Sequence, residues 1–117
     1  MVKQGLALYP KGSDLMLGNL GRAYLMLGDN DAAIEWGLKL ADVNPELFIN
    51  HAYLAMAYSN KGDTTNAAIY AAEYRRRATV AGSKGIDAEV LSPGTPAAYV
   101  KYWNERYVPE WKKAGLP

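Results

Sequence analysis

"NLGRAYLMLGDNDAAIEWGLKLADVNP", residues 19–45, places Leu20, Gly21 and Tyr24 ahead of a Gly28-Asp29 doublet, then Ala33, then Pro45. The spacing predicts two helices joined by a tight turn. Leu17, Leu20, Ala23 or Tyr24 and Leu27 recur three and four apart, which puts them on one face of a helix. Ser13 or Asp14 supplies its N-cap, accepting from backbone amides that otherwise lack partners. Gly28 takes the left-handed conformation that closes the helix, and Asp29, Asn30 and Asp31 offer the cap of the next. That next helix turns Ala33, Ile34, Leu38, Leu40 and Ala41 inward. It stops before Pro45, because proline disfavours helix in the residue preceding it.

The same order returns 34 residues later as Leu54, Ala55, Tyr58, Gly62-Asp63 and Ala67. Phe48, Leu54, Ala55 and Tyr58 build one helix, Gly62-Asp63 breaks it, and Ala67 to about Thr79 forms its partner. Small residues recur where paired helices touch: Gly21 and Ala55 on the first helices, Ala33 and Ala67 on the second. A bulky side chain there would push the axes beyond the usual ~8–10 Å separation. Tyr24 and Tyr58 are expected inside their pairs.

Two copies in register resemble the tetratricopeptide repeat, whose unit carries a W-x-x-L-G-x-x-Y…A…F…A…P pattern. Leu17-x-x-Leu20-Gly21-x-x-Tyr24…Ala33…Pro45 matches it, and His51-x-x-Leu54-Ala55-x-x-Tyr58…Ala67 matches without a closing proline. The chain departs from the pattern with Leu17 and His51 at the tryptophan position and Gly37 and Ala71 at the second helix's aromatic position. The resemblance implies an all-α array of helix-turn-helix units, an α-solenoid wound as a right-handed superhelix. Its parts are a half-repeat at 1–12, repeats at 13–46 and 47–80, a connector at 81–94, and a capping helix with tail at 95–117. "KQGLALYP", Lys3 to Pro10, reads as the last turns of a preceding second helix. The chain is therefore expected to be a piece of a longer array, with the Val2–Leu8 face left open to self-association.

Beyond Thr79 the periodicity stops, and "VAGSKGIDAEVLSPG", residues 80–94, reads as a connector. Thr95 as cap and Pro96 at the first helical position restart a helix. Tyr99, Trp103 and Tyr107 lie four apart on one face of it, Pro109 is expected to end or kink it, and Gly115 closes the last turns. Repeat arrays need such a terminal element to cover their last apolar surface. "WKKAGLP", Trp111 to Pro117, resembles the tail of bacterial class III adenylate/guanylate cyclase-like proteins that carry a C-terminal tetratricopeptide region, and of related winged-helix regulators. That resemblance implies a non-catalytic regulatory or structural appendage, whose partner is an upstream domain of the same chain.

Half of the 117 residues are apolar and the net charge is +1, which gives no electrostatic reason to expect nucleic acid. Without cysteine there are no disulfides, thiolate metal sites or cysteine nucleophiles. No apolar run approaches the ~18 residues of a membrane span, so a cytoplasmic location is the default expectation. His51 is the only histidine and lacks partners at ligand or triad spacing. "GSKG", Gly82 to Gly85, lacks the spacing of a phosphate loop. Arg75, Arg76 and Arg77 suit the negative end of a helix. Trp103, Tyr107 and Trp111 are assigned to packing rather than to base stacking. No catalysis, cofactor or metal is expected.

The resemblance further implies a concave groove lined by the first helix of each pair. Its positions are Leu15, Gly18, Arg22, Leu25 and Met26 in the first copy and Ile49, Ala52, Met56, Ser59 and Asn60 in the second. An apolar groove with one cation suits an amphipathic helix or extended peptide whose acidic residue pairs with Arg22. The same face can instead be filled by the chain's own C-terminal aromatic helix or by a second copy in a homodimer. Exposed apolar patches above roughly a few hundred Å² are rare in monomers.

Overall fold

Two Gly-Asp turns of one geometry organise the helices. Gly28 and Gly62 both adopt φ 81°, a conformation that side chains with a Cβ rarely take. The next amide closes the preceding helix: Asp29 N–H donates to the Tyr24 carbonyl and Asp63 N–H to that of Tyr58, both at 2.9 Å. The same aspartates then start the following helix, their carboxylates accepting from the amides of Ala32 and Asn66 at 3.1 Å. Each aspartate thus ends one helix and begins another.

The computed structural model describes residues 13–86 and 89–117, with side chains from residue 16 onward. The expected half-repeat at 1–12, its Val2–Leu8 face and the caps offered by Ser13 and Asp14 lie outside the described residues and side chains. The helices are α1 (Ser13–Leu27), α2 (Asn30–Val43), α3 (Phe48–Asn60) and α4 (Thr64–Val80). After a connector come α5 (Ala97–Tyr102), a π-helical turn (Trp103–Tyr107) and α6 (Val108–Lys113). The described chain is all-α, with no strand. α1 packs on α2, α2 on α3 and α3 on α4, and α6 returns to pack on α3.

The buried stripes differ in detail from the expected faces. On α1 the buried positions are Leu17, Gly21 and Leu25, while Ala23 and Leu27 are exposed. On α2 they are Ala33, Gly37 and Leu40, and Leu38 points outward. Both stripes step by three or four residues, so a leucine one position off the stripe is rotated by about 100° out of it. Tyr24 and Tyr58 are half-buried rather than enclosed, and Tyr58 stacks on Tyr70 at 5.7 Å. The fully enclosed large side chains are Leu25, Leu40, Leu54 and Met56.

Gly37 explains the missing aromatic on α2. A methyl placed there would lie 2.7 Å from Leu54 Cδ2, so Leu54 of α3 occupies the space a larger side chain would need. Asn50, one turn earlier on α3, donates from Nδ2 to the Gly37 carbonyl at 2.9 Å and fixes the two helices in register. Gly18 is a different case. A methyl there would meet Leu40 Cδ2 at 3.7 Å, an ordinary contact. Because glycine costs about 1 kcal/mol relative to alanine inside a helix, Gly18→Ala is expected to stabilise the fold by roughly that amount in urea unfolding. Destabilisation would show that α1 does not pack as described.

His51 is buried, as its repeat position suggests. Its Nε2 bonds to the Pro45 carbonyl at 2.7 Å and its ring stacks on Tyr70. No group of three or more metal-ligating side chains occurs among the described residues. No described helix is long and apolar enough to cross a membrane.

Candidate functional site

The C-terminal helix starts one residue later than its sequence suggests. Pro96 is extended (ψ 140°) and acts as the cap, its carbonyl accepting from Tyr99 and Val100 at 3.0 and 3.1 Å. The Thr95 hydroxyl donates backward to the Ser92 carbonyl at 2.5 Å and does not cap the helix. Pro109 does not end the segment. Proline lacks an N–H and its ring clashes with the carbonyl four residues back. Here the preceding turn widens, with Val108 N–H reaching the Trp103 carbonyl five residues back, and the helix runs on through Lys113.

This segment lies against the residues expected to line the groove. Leu25, Ala52 and Met56 are at most 1% exposed and share one cluster with Tyr107, Trp111, Ala114 and Leu116. Three polar ties mark the crossing. The Arg22 guanidinium donates to the Tyr99 hydroxyl. Asn60 Nδ2 donates to Glu110 at 2.6 Å, and Arg106 Nη1 donates to the Met26 carbonyl at 2.9 Å. Ile49 is half-buried against the same cluster. Ser59 is half-buried at the end of α3, its carbonyl accepting from Gly62 N–H at 3.0 Å. Gly18 points toward Leu40 of α2. Leu15 falls among the side chains that are not described.

The tail is tied down as firmly as the helix. Gly115 closes α6 at φ 84°, and Ala114 and Leu116 are buried. The Pro117 carbonyl accepts from Trp111 Nε1 and from Ile86 N–H, both at 3.0 Å. Arg75 donates to the Gly115 carbonyl at 2.8 Å. Its neighbours are also engaged: Arg76 with Glu73 at 2.8 Å, and Arg77 with Glu46 at 2.6 Å and Glu73 at 3.2 Å. The arginine run therefore binds the protein's own acceptors, beyond complementing the end of α4.

Between the segment, α3, the end of α4 and the connector lies a cavity of about 390 Å³. Its walls include Phe48, Tyr53, Tyr74, Trp103, Tyr107 and Trp111, with Arg22 and Tyr99 at one side. Sequence spacing marked the C-terminal aromatics but not Phe48, Tyr53 or Tyr74, which only the crossing of the segment brings to them. Burial raises the phenol of Tyr53 above its ordinary value, that of Tyr107 well above it and that of Tyr102 to about 12. A raised folded value means that this stability is whole below the unfolded value of 10.0 and is lost as pH climbs toward 12. Phenolate absorbance is expected to appear together with loss of helical circular dichroism in that window. All phenols ionising near their ordinary value while the helices persist would contradict the burial.

No protein-family model, curated protein or solved structure matches the chain.

Proposed function

We propose that this chain is a non-catalytic, tetratricopeptide-like interaction module whose groove is occupied by its own C-terminal segment. The observation that carries the reading is the burial of Leu25, Ala52 and Met56 in one cluster with Tyr107, Trp111, Ala114 and Leu116. The groove thus receives an aromatic, amphipathic helix with an acidic residue, the kind of ligand a helix-in-groove site takes. The equal turns at Gly28-Asp29 and Gly62-Asp63, 34 residues apart, support a repeat array. A protein or peptide partner competes with the segment for this face. A homodimer through the groove requires the same displacement.

The occupied groove also favours a second reading, an appendage of a larger bacterial regulator of the cyclase or winged-helix type. In that reading an upstream domain of the same chain takes the segment's place or docks on the closed module.

A native chain without cysteine allows a clean test. In an Asn60→Cys, Glu110→Cys variant, a short bifunctional maleimide would fasten the segment over α3. A labelled synthetic peptide spanning residues 95–117 is expected to bind the unfastened chain by exchange and not the fastened one. Equal binding to both, or binding to neither, would overturn exchange at the groove.

A further inference from the structure

The cavity beneath the segment has a chemistry of its own, apart from exchange of the segment. Its lining is aromatic on several sides, and Arg22 is the cation within it. The guanidinium carries five N–H donors in a planar fork. Its described partners are the hydroxyl and ring face of Tyr99, the ring centroid lying 5.2 Å away. Among the described residues no carboxylate forms an ion pair with it. Glu89, on the rim, is exposed and is not bonded to it.

The phenols around this cation do not neutralise it. Tyr53, Tyr102 and Tyr107 feel its charge, but phenols, whose ordinary value is 10.0, are neutral at pH 7, and burial raises all three further. The result is a half-buried guanidinium that no described carboxylate pairs, facing a space large enough for a small molecule. Ligand cavities fall in the range of about 300–1,000 Å³ and combine apolar walls with a few fixed polar groups. Flat π faces select a planar ring, since offset and edge-to-face aromatic contacts add to simple burial. An arginine fork selects a carboxylate, which it can engage with two parallel bonds.

We propose that this cavity is a binding site for a small planar aromatic acid, its ring against the walls formed by Tyr74, Trp103 and Trp111 and its carboxylate on Arg22. Such a ligand joins the segment to α3 and the connector and so holds the module closed. The site does not depend on a protein partner. It fails or stands separately from the exchange proposed above.

The test uses the whole chain, labelled with ¹⁵N, titrated with indole-3-acetate and with its neutral isostere indole-3-acetamide. The indole N–H signals of Trp103 and Trp111 are expected to shift with the acid, which binds about tenfold more tightly than the amide, the scale of one charge-assisted pair. Arg22→Gln should remove that preference and Arg22→Lys should keep part of it. Raising the salt concentration with the unmodified chain should weaken the acid and leave the amide unchanged, a readout that needs no variant to fold. Absence of shifts with either probe at millimolar concentration, or equal affinity for both, would overturn the proposal.

Discussion

Replacing Trp111 by alanine is expected to lower the stability of the chain by about 3–5 kcal/mol, the cost of deleting a large enclosed aromatic. Trp111 is 2% exposed and meets Tyr74 edge-on, with ring centroids 5.1 Å apart and planes at 86°. It also packs on Tyr107 at 5.9 Å, and its Nε1 holds the Pro117 carbonyl. One side chain therefore joins α4, the C-terminal segment and the tail. Trp111→Phe keeps most of the ring contact and loses the hydrogen bond, and should cost nearer to 1 kcal/mol beyond the lost area. Urea unfolding followed by circular dichroism separates the two. A Trp111→Ala penalty below about 1 kcal/mol would mean that the segment is not docked on α3 and α4.

The second large effect lies where α2 meets α3. Leu54 is wholly enclosed, and its branch fills the space over Gly37. Leu54→Ala should cost about 2–5 kcal/mol through lost contact and an unfilled void. Gly37→Ala forces a methyl to within 2.7 Å of Leu54 Cδ2. Overpacking of that kind costs about 1–3 kcal/mol, offset in part by about 1 kcal/mol of helix propensity. The double variant removes the atom that the new methyl strikes. Its loss should therefore fall short of the sum of the two single losses by about 0.5–3 kcal/mol, the range for residues in contact. Strict additivity would show that the two positions do not touch.

What the sequence disclosed follows from how local each feature is. A Gly-Asp doublet needs only its own backbone and the next turn to act, so both inter-helix turns were legible, as was the end of α2 ahead of Pro45. Faces within a helix were legible to within a residue: Leu17 and Leu40 are enclosed, whereas Leu27 and Leu38 carry the right chemistry one step off the stripe. Gly37 looked like a departure from a repeat pattern, because the leucine that replaces the absent ring arrives from another helix. The docking of the C-terminal segment against α1 and α3 was hidden for a similar reason. Arg22 and Tyr99 are 77 residues apart, Met26 and Arg106 are 80, and nothing in either stretch alone records the other. The widened turn before Pro109 was hidden too. Proline states which hydrogen bond is missing but not whether the chain breaks, bends or adds a residue to the turn.

That widened turn acts as a vernier on the aromatic series. Steps of four residues overshoot one turn of an ordinary helix by about 40°, so rings at 99, 103, 107 and 111 would spiral steadily around the axis. A turn with five-residue bonds takes in more chain and returns part of the overshoot. The effect is visible in the rings themselves. Trp103 and Tyr107, which span the wide turn, lie 4.7 Å apart and 14° from parallel. The pairs on either side stand at 6.5 Å and 36°, and at 5.9 Å and 31°. Phase, rather than composition, is thus what Pro109 sets. Insertion or deletion of a single residue between Trp103 and Pro109 would swing Trp111 by about 100° away from Tyr74, even though every aromatic remained in the chain.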